Sequence, residues 1–545
     1  MSTDILSTDI LSTDLLSAVL EQARTGADFP AVKDLDRALT YDELVDEVGR
    51  LARGLGALGV GEGDRVALHL PNSVDFVVAS LASLWVGALF VPLSVTDPEA
   101  RVEAIVADCS PMVVVTGDET GEESADEDGD ECGEGQEASG RSAPRRVGPP
   151  SVRYSELRAT GGPPPPRCVA ASGRAAYAIY TSGTTGSPKG VLISHGAFVA
   201  AVRSTAGILG LDRLTRTLCV SPFHFDGSFG TLFPTLFVGG AVVLRPREAL
   251  LFPRTFFRAV QREGITYTGF SPTYLKLLLA SPHMDELKGG TLGLIALGGE
   301  ACAPGDIRAL WDAVPHLRVF NRYGPTETTI AVTHVELTPE LVADGTVPIG
   351  RPHPGVTFHL VDDRGLLVDS VDQIGELYIG GTQLMIGYWG ASDLTREVMR
   401  DDVVRRETVY RTGDLVFRNE RGDYVYVDRA DRVIKRFGVR ISLLELADAI
   451  RSLPAVSDAA CVVFDNEGEV GIAAFVVADS PVSVPDLRHG ARDRLPDTML
   501  PDRIELVDQL PLTSSSKLDE RRLLSDAGLH RAGDRTPRAS ASFSR

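Results

Sequence analysis

Tyr180-Thr181-Ser182-Gly183-Thr184-Thr185-Gly186-Ser187-Pro188-Lys189-Gly190 lies between two apolar runs, residues 175–180 and 191–193. Glycine has no Cβ, so a backbone built from it turns tightly and brings N–H groups close to an anion. The Ser and Thr hydroxyls add donors, and Lys189 adds a mobile positive charge suited to a polyphosphate. An exposed turn between strands has no need of so many donors beside a lysine. A Walker A loop is also excluded, because that motif places Gly-Lys-Ser/Thr at the opening of a helix. Here Pro188 precedes the lysine and strand-forming residues follow. The stretch reads as a phosphate loop of another kind.

These residues resemble the signature of the adenylate-forming superfamily: acyl-CoA synthetases, luciferases and the adenylation domains of nonribosomal peptide synthetases. Further segments resemble that family in the expected order, from about Leu39 to Asp519. Residues 39–44 and 83–93 are similar to its first two motifs and read as scaffold. Phe225-Asp226-Gly227-Ser228 resembles the segment whose aspartate holds the substrate ammonium in amino-acid-activating members. Residues 294–301 (LIALGGEA) resemble the adenine-contact segment, and Asn321-Arg322-Tyr323-Gly324-Pro325-Thr326-Glu327 matches the next motif. Tyr410-Arg411-Thr412-Gly413-Asp414 and Asp428-Arg429-Ala430-Asp431 follow. Pro511-Leu512-Thr513-Ser514-Ser515-Ser516-Lys517 resembles the last motif.

The resemblance implies an α/β fold: a large N-terminal domain of helix-covered sheets with a β-rich subdomain, and a small mobile α+β C-terminal domain. The expected boundaries are a low-complexity extension over 1–16, an AMP-binding domain over 17–430, a lid over 431–525 and a disordered tail over 526–545. ATP is assigned to Thr181, Ser182, Gly183, Thr184, Thr185, Gly186 and Lys189 in the loop. Gly299, Glu300, Ala301, Asn321, Arg322, Tyr323, Gly324, Thr326, Asp414, Arg429 and Lys517 complete that set. Tyr323 would stack on adenine, Thr326 touch the α-phosphate, and Asp414 accept both ribose hydroxyls. Glu327 would hold Mg²⁺, as hard cations take carboxylate oxygens and bridge phosphates. Thr181, Glu327 and Lys517 form the expected catalytic set, and Asp431 the hinge. The acid pocket would be lined by His224, Asp226, Gly227, Gly230, Gly269, Ala296, Gly298, Arg322, Ile330 and Ala331. Without the resemblance, Asp226 reads as a helix cap, His224 as a structural histidine, and Thr326 as the cap of a helix after a Gly-Pro turn.

The implied chemistry is attack of a carboxylate on the α-phosphorus of ATP. The acid expected is an amino acid with a bulky or acidic side chain, its ammonium on Asp226 and its far end on Arg322. The acceptor is a carrier protein in trans or CoA, and the need for a small helper protein stays open. An acyl- or aryl-CoA ligase is the alternative, and adenylation of nitrite for diazotisation of an amino-aryl acid is a third.

Composition sets the remaining bounds. The chain has 545 residues, 43% of them hydrophobic, enough for several cores. Eleven acidic residues and no basic one lie between Asp118 and Glu137, so about half of the net charge of −21 sits there. What remains is mildly acidic and argues against a nucleic-acid surface. Residues 117–167 lack apolar periodicity and read as a mobile surface insertion. The six cysteines show no CxxC pair or metal-ligand spacing, which fits free thiols in a cytoplasmic protein. The N-terminal Ser-Thr-Asp-Ile-Leu repeat lacks the basic region of a signal peptide. Residues 76–93 carry no charge, but serines, Gly87 and Pro92 break them into a helix and a buried strand rather than a membrane span.

Elsewhere the alternation is clear. Thr40 and Glu43 form a capping box before a helix with apolar residues at 44, 48, 51, 55 and 58. A strand at 65–70, a helix at 73–86 and a strand at 88–92 follow, the pattern of a parallel sheet covered by helices.

Overall fold

Strand and helix alternate along the first half of the chain, and the buried strands read Val-Ala-Leu or Val-Val-Val, the composition of strands covered on both faces. The computed structural model describes residues 14–118, 149–182, 188–343, 345–404, 407–430, 433–436, 439–466, 469–492, 500–513 and 518–531. Two large sheets dominate. The first has eight strands in the order Thr333–Leu337, Arg318–Tyr323, Leu294–Gly298, Tyr267–Phe270, Arg216–Cys219, Ala241–Leu244, Pro30–Lys33 and Ala38–Thr40. It is parallel except for its two edge strands.

The second sheet has seven strands and carries the antiparallel pair Ala175–Ser182 and Pro188–Ser194. Helices Tyr41–Ala57, Val74–Trp85, His195–Leu209 and Asp226–Phe237 contribute to the core shared by both sheets. At its centre Phe76, Phe90, Tyr177, Phe198, Phe229 and Phe233 meet ring against ring, with centroids 4.9–6.5 Å apart. A third, antiparallel sheet of six strands over Pro348–Arg429 forms the β-rich subdomain. Beyond it the hairpin Val433–Arg436 and Val439–Ser442 precedes a three-stranded sheet with helices Leu443–Arg451 and Val484–Arg492. This region has its own apolar core. The α/β class and the large-plus-small architecture expected from sequence are therefore present.

Local expectations hold where the determinants are local. Thr40 accepts from the Glu43 N–H and Glu43 reaches back to the Thr40 N–H, completing the capping box of the helix Tyr41–Ala57. Three expectations need correction. The last repeat is not part of an extension: Asp14 caps the helix Leu15–Thr25, and Leu15 and Leu16 are buried. The second half of the insertion is ordered, because Ser151–Arg153 adds a strand to the second sheet. Tyr154 and Leu157 of the short helix Tyr154–Arg158 are buried there, and Arg158 grips both oxygens of buried Glu47 at 2.6 and 2.9 Å. No α-helix follows Pro325. A single 3₁₀ turn, Thr326–Thr328, ends where Thr329 and Ile330 take φ of +61° and +70°.

That unusual backbone is held from a distance. Gln383 donates to the carbonyls of Thr328, Thr329 and Ala331, the last at 2.7 Å, and its own carbonyl accepts from the Thr329 hydroxyl at 2.6 Å. Its amide oxygen meets His353 Nδ1 at 3.0 Å, and His353 Nε2 meets His334 Nδ1 at 2.9 Å. The two imidazoles lie parallel and buried between the first sheet and the β-rich subdomain.

Among the described residues no helix is long and apolar enough to cross a membrane. The five described cysteines are free.

Replacing Thr40 with Ala removes half of the capping box and should cost about 1 kcal/mol of stability, read by urea denaturation. A second outcome concerns acid. Burial pushes the His353 ring down to about 4, whereas an unfolded imidazole titrates near 6.5. The unfolded chain therefore binds the extra proton between those values. The stabilisation from neutral His353 is complete above pH 6.5 and falls away toward pH 4, by about 1.4 kcal/mol per pH unit. Denaturation at pH 7, 6 and 5 should show a slope one proton shallower in His353→Gln.

Candidate active site

The candidate residues gather beyond the carboxyl ends of the first sheet's parallel strands, where open α/β sheets place their ligands. The hairpin Ala175–Ser182 and Pro188–Ser194 pairs at its outer strand with Gly387–Tyr388. Thr181 pairs with Lys189 across the hairpin. Residues Gly183, Thr184, Thr185 and Gly186 lie outside the described residues, as do Asp431 and Lys517. The side chain of Ser182 is also outside them.

Lys189 and Glu327, 138 positions apart in sequence, are brought together by Tyr388. The lysine Nζ lies 4.7 Å from the centre of the Tyr388 ring, and the Tyr388 hydroxyl donates to Glu327 Oε1 at 2.6 Å. A cation over an aromatic face is attracted to it, so one ring positions the lysine and the carboxylate at once. Backbone bonds fix the same junction: Met385 N–H donates to the Glu327 carbonyl and Trp389 N–H to the Gly190 carbonyl, both at 2.8 Å. Burial and Glu327 push the Tyr388 phenol far above its ordinary value, so it stays a donor.

A second cluster stands beside the first. Tyr323 donates to Asp414 Oδ2, and Arg429 Nη1 approaches Asp414 Oδ1 at 3.2 Å. Arg429 also donates to the Thr412 carbonyl at 3.2 Å. Asp414 and Arg429 face each other across adjacent antiparallel strands, which places the guanidinium and carboxylate on one face. Tyr410 joins the clusters, since Glu327, Tyr388 and Asp414 all act on its phenol after burial itself.

Several predicted contacts are turned to structural bonds. Asn321 donates to the Pro348 carbonyl at 2.8 Å and accepts from the Cys302 thiol at 3.4 Å, so its amide joins the first sheet to the subdomain. Glu300 accepts from the Thr273 N–H at 2.9 Å and its hydroxyl at 2.6 Å. Gly299, at φ +88°, makes the turn before Glu300 and Ala301. Thr326 opens the 3₁₀ turn. Gly324 cannot be replaced, because a Cβ there would stand 2.5 Å from the Cα of Ala331.

The acid-pocket residues assemble around one side chain. Arg322 is 93% buried, and glycines make its space. A Cβ on Gly298, its register partner, would collide with the arginine stem. Cβ atoms on Gly230, Gly269 and Gly227 would lie 3.1, 3.5 and 3.8 Å from its terminal nitrogens. The same Cβ on Gly230 would meet Ile330 at 2.6 Å, so Ile330 borders the site, and Ala331 is buried beside it. Ala296 precedes Gly298 on the same strand. Among the described residues Arg322 Nη1 has no acceptor. Asp226 is the first residue of the helix Asp226–Phe237 and follows its N-cap, Phe225. His224 stacks on Phe225, and burial holds its ring at about 4 despite Asp97 nearby. Arg247 and Arg101 act on it in the same direction as burial. Among the described residues no three His, Cys, Asp or Glu groups converge as a metal cage.

Sequence reasoning missed Tyr388, Tyr410, Gln383, His334 and His353. Tyr410 stands inside a segment that resembles a family motif, which was the available signal; Tyr388 and Gln383 lie in a stretch that reads only as strand with glycine breaks. The two histidines carry no local pattern.

The sequence profile described as AMP-binding enzyme matches residues 19–389, and that of the AMP-binding enzyme C-terminal domain matches residues 445–517. Malpinin synthetase of Mortierella alpina is 32% identical over 526 residues, covering 92% of this chain and 6% of that protein. Isonitrile lipopeptide synthase of Streptomyces coeruleorubidus is 32% identical over 499 residues, covering 90% of this chain and 32% of that protein. The chain thus spans a small part of these curated relatives. Among solved structures, holo-AB3403, a four-domain nonribosomal peptide synthetase bound to AMP and glycine, superposes with a TM-score of 0.78 at 25% identity. That match covers 99% of this chain and 37% of the other. With the AMP-binding profile matched over residues 19–389, more than half of its length, the chain belongs to the AMP-binding enzyme family, within the adenylate-forming superfamily.

Proposed function

We propose that this chain activates an amino acid with ATP and transfers the acyl group to a thiol on a carrier protein supplied in trans. The supporting observation is the convergence of Lys189, Tyr388 and Glu327 beside Tyr323, Asp414 and Arg429. That set offers a cation and a metal-binding carboxylate for phosphates, and an aromatic ring and an acceptor for a nucleoside. The multidomain peptide synthetases among the relatives favour a carrier thiol over CoA.

In the first step an oxygen of the substrate carboxylate attacks the α-phosphorus of ATP. The bond from that phosphorus to the bridging oxygen breaks, and pyrophosphate leaves with the electron pair. No general base is needed, because the carboxylate is already ionised near neutral pH. The protein's share is positioning and charge stabilisation. Lys189 and the hydroxyls of the loop hold the β- and γ-phosphates, and Thr181 lies at the strand end nearest them. Asp414 accepts the ribose hydroxyls, Tyr323 packs on adenine, and Lys517 bridges the attacking carboxylate and the α-phosphate. Glu327 is a single carboxylate fixed by Tyr388, which fits Mg²⁺, an ion held by one or two carboxylates together with substrate phosphates. Bound there, Mg²⁺ would neutralise phosphate charge. In the second step the small domain turns about Asp431 and withdraws Lys517. A thiolate then attacks the acyl carbon, a thioester forms, and AMP departs.

The acid has its ammonium on Asp226 and its side chain directed at Arg322, which suits a bulky or acidic amino acid. A buried guanidinium needs acceptors, and Nη1 of this one has none among the described residues.

Pyrophosphate exchange measured across the amino acids tests the first step. Lys517→Ala should lower kcat on the best acid by about 10²-fold or more with the fold intact. Unchanged exchange would remove the lysine from the chemistry. Asp414→Ala should raise the KM for ATP about tenfold with a smaller effect on kcat, the loss of roughly one charged hydrogen bond. Thioester formed on CoA but not on a carrier protein would replace the acceptor named here.

A further inference from the structure

The helix Pro253–Glu263 buries Phe256, Phe257, Ala259 and Val260 and turns Arg254, Arg258 and Arg262 to the surface. A spacing of four sets the three guanidinium groups in one row, each step about 6 Å along the axis. None of the three forms an ion pair among the described residues. Immediately before them Leu251 and Phe252 stand 49% and 69% exposed, and Phe252 is the most exposed phenylalanine among the described residues. From Leu251 to Arg262 the chain holds three arginines and no acidic residue, a local reversal of sign in a molecule of net charge −21.

Local stability does not account for this sequence. Arg254 sits in the first helical turn, where no acidic residue accompanies it and the helix dipole disfavours a cation. Arginines four apart repel one another along the helix, and Phe252 takes the N-cap position without a side-chain cap bond. Adjacent exposed apolar side chains beside unpaired charge of one sign are the composition of a surface that another molecule covers.

Its place in the fold says which molecule. Strand Ala241–Leu244 runs parallel to its neighbours, so the residues after it emerge on the crevice side of the first sheet. Arg247 stands near enough to His224 to oppose protonation of its ring. The Tyr274 phenol donates to the Leu250 carbonyl at 2.6 Å, and Thr273 beside it holds Glu300 of the candidate site. Leu251 and Phe252 therefore lie on the rim of the crevice, on the side of the acid pocket. The second step proposed above brings a macromolecule to that rim, because its thiol must reach the acyl carbon inside. Resting on that carrier-thiol reading, we infer that Leu251, Phe252, Arg254 and Arg258 form the docking surface for the carrier protein. The partner face it fits is an apolar side chain that covers Phe252, flanked by carboxylates that meet the two arginines. Arg262, a further turn away, extends the attracting field. Phe252 supplies the desolvated contact that holds the complex, and the arginines steer its approach, an effect that salt weakens.

The test uses the full chain, ATP, the acid that gives the fastest pyrophosphate exchange, and each carrier protein of the source organism bearing its thiol arm. Thioester formed on the carrier is measured against carrier concentration. Arg254→Glu with Arg258→Glu should raise the KM for the carrier by about tenfold or more, with pyrophosphate exchange held within about twofold. Phe252→Ser should raise the same KM by about fivefold or more. The wild-type KM should climb with added salt, and the doubly reversed variant should lose that climb, which a merely structural role for the arginines would not produce. Arg254→Lys with Arg258→Lys keeps the charge and should hold KM within about threefold of wild type. A carrier KM unchanged in the doubly reversed variant, or one that rises only in step with lost pyrophosphate exchange, would overturn the docking surface and leave adenylation and the carrier thiol standing. Acylation of none of the carriers would overturn the choice of acceptor and this inference with it, with adenylation still standing on the exchange.

Discussion

A guanidinium buried one strand in from the edge of the first sheet is the constraint around which the candidate pocket residues are arranged. Arg322 cannot give up its charge, so the strands and helices about it surrender side chains instead. Gly298 makes way for its stem, and Gly227, Gly230 and Gly269 make way for its head. The loop that follows takes a left-handed pair at Thr329 and Ile330, a conformation a β-branched residue avoids. That pair persists because Gln383, more than fifty residues later, supplies three hydrogen bonds to the carbonyls around it. The preceding residues of the same loop include Glu327, so the acid pocket and the proposed metal carboxylate share one short segment of backbone.

The phosphate end is organised differently. There an aromatic ring replaces a network of ions: Tyr388 takes Lys189 on its face and Glu327 on its hydroxyl. A direct lysine–carboxylate pair would tie up both charges. Holding them through the ring keeps each near the crevice and oriented, which is the preorganisation that phosphoryl chemistry rewards.

Much of this was legible from the chain alone wherever neighbours in sequence decide the outcome. The capping box at Thr40 and Glu43 and the alternation of buried strands with helices rest on local rules, and the described motif residues Tyr323, Asp414 and Arg429 stand together. What escaped depends on distant partners. A helix was expected after Pro325 because Thr326 reads as a cap following a Gly-Pro turn, but Gln383 stabilises the competing turn. The insertion looked unstructured as far as Arg167 because its apolar residues are few, yet Tyr154 and Leu157 are buried and Glu47 holds Arg158. Asn321 and Glu300 sit inside motif segments and still spend their polar atoms on Pro348 and Thr273. Motif membership located them but did not say which way they face.

The edge of the second sheet has a practical corollary for anyone who handles this polypeptide. Strand Val113–Thr116, before the acidic run, lies between Arg65–His69 and Ser151–Arg153, so segments from both sides of that run pair directly. Arg167 also reaches back to Asp14 at 2.6 Å, and Leu89–Pro92 pairs with the strand that leads into the phosphate loop. A backbone cut between 119 and 148 would leave two pieces joined by ladders, an ion pair and one continuous aromatic core. The molecule is thereby suited to fragment complementation, with the hairpin Ala175–Ser182 and Pro188–Ser194 on one half and the helix Glu99–Cys109 on the other.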